Sequence, residues 1–209
     1  MASVTLAAAR EDADLWRMKS DPQFDLFTPA PQMPEGFVYQ PGFVTAEEEA
    51  ALLGEVEQLD FKPFEFQNYV GLRRVVFFGW KYDFTAGRLE TAPPMSDFLL
   101  PLRERAEAFA GLEAGAFGHV LINEYGPGAP IGWHRDRPQF EDVVGVSLGA
   151  AGRFRFRRKA GAKWERASLT VEPRSAYLLR GPARWDWQHS LPPAESLRYS
   201  ITFRSLSDG

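Results

Sequence analysis

The 209-residue chain contains no cysteine. That absence excludes a disulfide framework, a thiolate metal site and a cysteine nucleophile. Histidine is scarce, at three residues, so two of them meeting at one motif set would be informative. No apolar run approaches the length of a membrane-spanning helix, and no membrane partner is expected. The opening stretch MASVTLAAAREDAD has a short apolar run broken at Arg10 and followed by acids, so it does not read as a signal peptide. A cytoplasmic location and a monomeric state are the expectations. The net charge of -4 lacks the cation excess usual in a nucleic-acid binder.

The charge is unevenly spread, however. Residues 1–60 hold three Lys/Arg against twelve Asp/Glu, whereas residues 131–166 hold nine basic side chains against four acidic ones. The basic cluster centres on Arg153-Phe-Arg-Phe-Arg-Arg-Lys159. It suits a polyanion, and it equally suits a strand edge guarded by charge. Hydrophobic residues make up 44% of the chain, with 17 Phe and 6 Trp. This favours one globular domain with a β-rich interior.

Residues 1–35, with four prolines and no sustained periodicity, read as a partly irregular N-terminal extension. Thr45-Ala-Glu-Glu48 is a capping-box signature, and the helix it opens is expected to run to about Leu59. A second amphipathic helix is expected from Met95 to Phe109. Between them, residues 61–84 are dense in aromatics. From residue 115 onward the pattern changes to short alternating strands punctuated by Gly and Pro. Strands are expected at 118–125, 131–135, 142–148, 153–158, 167–171, 176–180, 186–190 and 197–204. A helical front half followed by these strands predicts a mainly β fold with flanking helices (α+β), a jelly-roll barrel.

Candidate chemistry sits in the strand-rich part. His134 and Asp136 are two apart, so one strand end can aim both at a single ion. His189, in WQHSLPP, would complete two imidazoles and one carboxylate, the ligand set of a non-haem Fe(II) facial triad with open positions. His-x-Asp is a common spacing, and His189 could equally be a core histidine beside Trp185 and Trp187. His119 reads as structural. On the last strand Arg198, Ser200, Thr202 and Arg204 share one face, and Tyr199, Ile201 and Phe203 the other. If the apolar face packs outward on helices, two guanidinium groups look into the barrel, where a dicarboxylate would satisfy them. The other reading is a surface strand with its polar side in water. Asn123 and Tyr125 also alternate on one face.

The ordered set NEYGPGAPIGWHRD, DVVGVSLG, GPARWDWQHSLPP and RYSITFR resembles the AlkB family of Fe(II)- and 2-oxoglutarate-dependent dioxygenases over residues 36–209. The resemblance implies a double-stranded β-helix core at about 115–206 and a nucleotide-recognition lid at about 61–92. It implies that His134, Asp136 and His189 hold iron and are catalytic, and that Asn123, Tyr125, Arg198 and Arg204 bind 2-oxoglutarate. The implied reaction consumes dioxygen and 2-oxoglutarate, hydroxylates an N-alkyl carbon, and releases formaldehyde, succinate and carbon dioxide. The implied substrate is alkylated DNA or RNA, as a single strand or a flipped base. Trp80, Tyr82, Arg74 and Arg137 are the candidate substrate contacts, with Arg73 beside them. One departure stands out: Pro138 occupies the position where the founding bacterial enzyme has a second acid. The same chemistry on RNA, tRNA or protein, and a non-catalytic metal- and dicarboxylate-binding barrel, are the alternative readings.

Overall fold

A computed structural model describes residues 32–66, 69–83 and 87–207. The expectation for the N-terminal extension falls outside these residues up to position 31, and so does Phe84 of the aromatic segment.

In chain order the elements are β1 (Phe37–Gln40), α1 (Ala46–Val56), β2 (Lys62–Phe66), β3 (Tyr69–Phe78), β4 (Trp80–Asp83) and β5 (Arg88–Thr91). A 3-10 turn (Asp97–Leu99) then leads into α2 (Leu100–Ala110). The second half comprises β6 (His119–Tyr125), β7 (Ile131–His134), β8 (Phe140–Gly149), β9 (Gly152–Ala160), β10 (Lys163–Val171), β11 (Ser175–Leu179), α3 (Gly181–Trp185), β12 (Gln188–Leu191) and β13 (Arg198–Leu206). The strands form a seven-stranded sheet in the order β1-β11-β8-β13-β6-β3-β2 and a four-stranded sheet in the order β10-β9-β12-β7, with β4-β5 as a separate ribbon.

Alternation along the central strands sorts two cores. Val120 and Ile122 of β6, Val144, Val146 and Leu148 of β8, and Tyr199, Ile201 and Phe203 of β13 pack against Val56, Leu99, Leu102 and Ala106 of the helical layer. The opposite face of the large sheet, through Tyr125, Val143, Tyr177 and Leu179, meets Phe154, Phe156, Ala167 and Leu191 of the small sheet. The central strands β6, β8, β11 and β13 are thus buried on both sides, and the site lies between the two sheets.

Local chemistry explains the helix ends. Thr45 and Glu48 form the reciprocal capping box, and α1 ends at Val56, one turn before the expected Leu59. Pro101 fits the first turn of α2, where no amide hydrogen is needed, and Gly111 ends that helix in the left-handed conformation at φ 65°. The second helix therefore starts later than Met95, after a 3-10 turn.

Two expectations need correction. The front half is not helical, because β1 to β5 occupy much of it and β1, β2 and β3 join the large sheet. The aromatic density of that segment reflects strands that need cross-strand packing. The strand expected at 186–190 starts two residues later, as β12, because α3 runs to Trp185 and is capped at Asp186.

Candidate active site

Register brings the motif residues together. Across β13 and β6, Arg198 lies opposite Tyr125, Ser200 opposite Asn123, and Arg204 opposite His119. Across β12 and β7, His189 lies opposite His134, and their ring centroids are 4.3 Å apart. Asp136 follows β7 directly, and its Oδ2 is 3.7 Å from His189 Nε2. Asn123, Tyr125, His134, Asp136, His189, Ser200 and Arg204 line a cavity of about 120 Å³ together with Arg73, Tyr177, Phe154 and Thr202, whereas Arg198 and His119 lie behind its wall and do not line it.

The protonation states suit metal ligation. His134 Nδ1 is 2.8 Å from the Gly132 carbonyl, and a proton donated there leaves Nε2 as the lone-pair donor. Burial lowers His134 from its ordinary value. Burial, and then the neighbouring His134, pushes His189 down to about 3. Burial pushes the Asp136 carboxyl up, but the Arg204 guanidinium, His189 and His134 together outweigh it and hold the group well below the usual carboxylate range. Two neutral imidazoles and an ionised carboxylate are therefore present together at neutral pH. His189 also stacks on Phe154 at 5.3 Å, so its ring packs against the core while its edge faces Asp136.

The two arginines of β13 differ. Arg204 donates from Nε and a terminal nitrogen to the same oxygen of Asp136, at 2.9 and 2.7 Å. The expectation of two unpaired guanidinium groups holds only for Arg198. Arg198 is 1% exposed, and all three of its nitrogens lack a hydrogen-bond partner. Its guanidinium lies 5.3 Å from the Tyr125 ring centroid. Asn123 Oδ1 is likewise buried and unpaired. A buried cation without an acceptor is costly, so the Arg198 nitrogens fit a carboxylate, whereas Asn123 Oδ1 calls for a donor. Among the described residues, no group of three His, Cys, Asp or Glu side chains is placed as a metal-binding cluster. One Asp136 oxygen is engaged by Arg204, and the donor types are those of a site that keeps positions open.

A methyl group added at Gly152 would sit 3.0 Å from Arg198 Nε and 3.2 Å from Leu191 Cδ2. Gly152→Ala is therefore expected to displace Arg198 and weaken 2-oxoglutarate binding about tenfold, a loss of one good charged hydrogen bond. Calorimetric titration of the co-substrate checks this.

The proposed substrate residues are placed unevenly. A second cavity of about 670 Å³ opens beside His134 and Asp136 and is lined by Phe64, Arg73, Trp133, Arg135, Arg137 and Pro138. Arg137 is at this mouth, and its guanidinium lies 4.8 Å from the Tyr82 ring centroid. Tyr82 thus adjoins the mouth through Arg137. Trp80 lines neither cavity; its indole packs over Gly118. Arg74 is a correction: it faces away and forms a two-pronged ion pair with Glu124 at 2.6 and 2.8 Å. Its neighbour Arg73 takes the inward position, 7% exposed and 3.8 Å from the Phe64 ring centroid. Sequence reasoning missed Trp133 and Tyr177 altogether. The Tyr177 ring lies where a Cβ at Gly145 would stand, and burial pushes its phenol up to about 12, so it stays a neutral donor.

A profile of the 2OG-Fe(II) oxygenase superfamily matches residues 36–204. The chain belongs to that superfamily. The oxygenase is 28% identical over 184 residues to the "Alkylated DNA repair protein ALKBH8 homolog" of Arabidopsis thaliana, a match covering 75% of this chain and 51% of the relative. It is 26% identical over 164 residues to the "DNA oxidative demethylase ALKBH2" of the same plant, covering 64% of this chain and 49% of the relative. It thus spans about half the length of these curated relatives. In fold it is similar to the structure of OsALKBH1, with a TM-score of 0.65 at 14% identity, covering 83% of this chain and 98% of that one. A Pseudomonas putida prolyl-4-hydroxylase shares the fold with a TM-score of 0.57 at 19% identity, covering 83% and 94% of the two chains. The chain is therefore an AlkB-like member of the 2OG-Fe(II) oxygenase superfamily with a jelly-roll core. Among the described residues no helix is long and apolar enough to cross a membrane.

Proposed function

We propose that the oxygenase dealkylates nucleobases in DNA, using Fe(II) held by His134, Asp136 and His189 and 2-oxoglutarate held by Arg198, Asn123 and Tyr125. The observation that carries this reading is the mouth cavity. It has the volume of a small-molecule pocket, it adjoins His134 and Asp136 directly, and Arg73, Arg135 and Arg137 converge on it beside Phe64 and Trp133. Aromatic faces suit an unstacked base, and cations suit the phosphates beside it. The two curated relatives named for alkylated-DNA repair and DNA demethylation support the same substrate class.

Fe(II) would supply activation of dioxygen, with 2-oxoglutarate furnishing two electrons as it becomes succinate and carbon dioxide. The protein's own side chains do the rest. Arg198 fixes one carboxylate of the co-substrate, and Tyr125 walls the pocket beneath it. Arg204 holds Asp136 ionised and pins one of its oxygens, so the carboxylate presents a defined face. The apolar wall of Phe154, Leu191 and Ile131 limits water at the reacting carbon. Hydroxylation of an N-methyl carbon gives a hemiaminal, which breaks its C–N bond to release formaldehyde and the N–H base. Neutral His134 and His189 need no proton movement during this sequence.

The test uses DNA and RNA oligonucleotides carrying 1-methyladenine or 3-methylcytosine, with Fe(II), 2-oxoglutarate and air, read by mass spectrometry. The expected result is methyl loss from DNA with one succinate per methyl group. Exclusive methyl loss from RNA would replace the substrate, and succinate without loss from either would move a protein substrate forward.

A further inference from the structure

The outward face of the small sheet carries cations and indoles that the cavity does not use. Alternation along β9 sets Arg153, Arg155, Arg157 and Lys159 on this face, and the β9–β10 register places Arg166 opposite Arg157. The other outward positions on β10 and β12 are Ser, Thr and Gln, apart from Trp164. Glu165 is out of phase with them and pairs with Arg158. A two-dimensional array of cations without interleaved acids is an anion surface.

Aromatics are built into that array. The Arg157 guanidinium lies 4.6 Å from the Trp164 ring and 4.5 Å from the Trp133 ring, and Arg155 lies 5.0 Å from Trp133. Ser190 and Gln188 accept from the Nε of Arg155 and Arg157 at 3.1 and 2.8 Å. This fixes both guanidinium planes and leaves their terminal N–H groups for another acceptor. Trp133 also lines the mouth cavity beside His134, while Trp164, at the far end, is 42% exposed. The strip therefore starts at the mouth and runs outward across β12 and β9 to β10.

We infer that this face is a track for single-stranded DNA, along which the strand flanking the target base continues from the mouth. Phosphates lie on Arg153, Lys159 and Arg166, and a base stacks on Trp164. An unpaired strand fits because an exposed indole can stack only on a base whose face is free, and a duplex would not present one. The inference rests on the nucleobase reading, since that reading puts a target nucleotide at the mouth.

The experiment measures fluorescence anisotropy of an unmodified, labelled 20-residue thymidine oligonucleotide with the full chain at increasing salt. Two variants are compared with wild type: Arg153→Gln/Lys159→Gln/Arg166→Gln, and Trp164→Ala. Each single-strand phosphate contact contributes about 0.7 to the slope of log affinity against log salt, so the triple variant should lower that slope by about 2. Trp164→Ala should weaken binding about tenfold with the slope unchanged, as expected for lost stacking. Both variants should keep the wild-type melting temperature and full turnover of a methylated trinucleotide. Binding and slopes equal to wild type in both variants would overturn the track. So would tighter wild-type binding of the matching ribo-oligonucleotide. Wild type that dealkylates nothing but shows the predicted slope changes would sink the reaction and leave the track standing.

Discussion

Asp136→Ala is expected to cut iron affinity by at least about 100-fold, because even partners one shell outside the metal are worth 10- to 100-fold. Turnover should fall further, since two imidazoles alone leave the ion poorly held. The substitution also strands a cation: Arg204, 8% exposed, donates twice to Asp136. Removing one member of a buried pair costs about 3–5 kcal/mol. Asp136→Ala should therefore lose stability without any metal present. Adding Arg204→Met should recover much of that stability and none of the activity. Metal titration and chemical denaturation of the single and double variants separate the two roles. If the double variant regained turnover, Asp136 would be a partner for Arg204 and not a ligand.

Arg198→Met carries the opposite sign. The wild-type guanidinium is buried and has no described acceptor, so the protein without co-substrate bears its desolvation cost. Replacing it with an apolar side chain of similar length should stabilise that form by about 1–4 kcal/mol, as found when buried charges give way to packed apolar groups. The same variant should lose co-substrate stabilisation. Wild type should gain about 2.7 kcal/mol when 2-oxoglutarate reaches 100 times its Kd, and Arg198→Met should gain almost none. A more stable, unresponsive variant shows that Arg198 holds an anion. A destabilised variant that still responds to 2-oxoglutarate would show that Arg198 is structural.

The site was legible in the sequence where alternation and motif spacing set orientation. β13 has its Arg/Ser/Thr face inward because Tyr199, Ile201 and Phe203 fill the helix-side core. His134 and His189 were paired by residue type before register put them opposite one another. The front-half strands were harder to see, because β3 pairs with β6 some 45 residues later, and such contacts leave no local periodicity. The choice between Arg73 and Arg74 depends on strand phase. A register shift between Pro63 and Glu65 blurs the β2–β3 pattern, so adjacency alone could not say which arginine faced inward. Trp133 became visible only through the β9, β12 and β7 pairings. The Arg204–Asp136 contact spans 68 residues, and two inward residues on different strands gave no signal of their pairing.

The central claim is that these residues make one iron and 2-oxoglutarate site, and anaerobic titration tests it most directly. The protein is loaded first with Fe(II), then with 2-oxoglutarate, and followed by calorimetry and by the visible charge-transfer absorption of a 2-oxo acid chelated to ferrous iron. The account predicts one Fe(II) per chain, one 2-oxoglutarate, and an absorption band that needs both and disappears in Asp136→Ala. Tight 2-oxoglutarate binding that ignores the metal, or an unchanged band in Asp136→Ala, would contradict it.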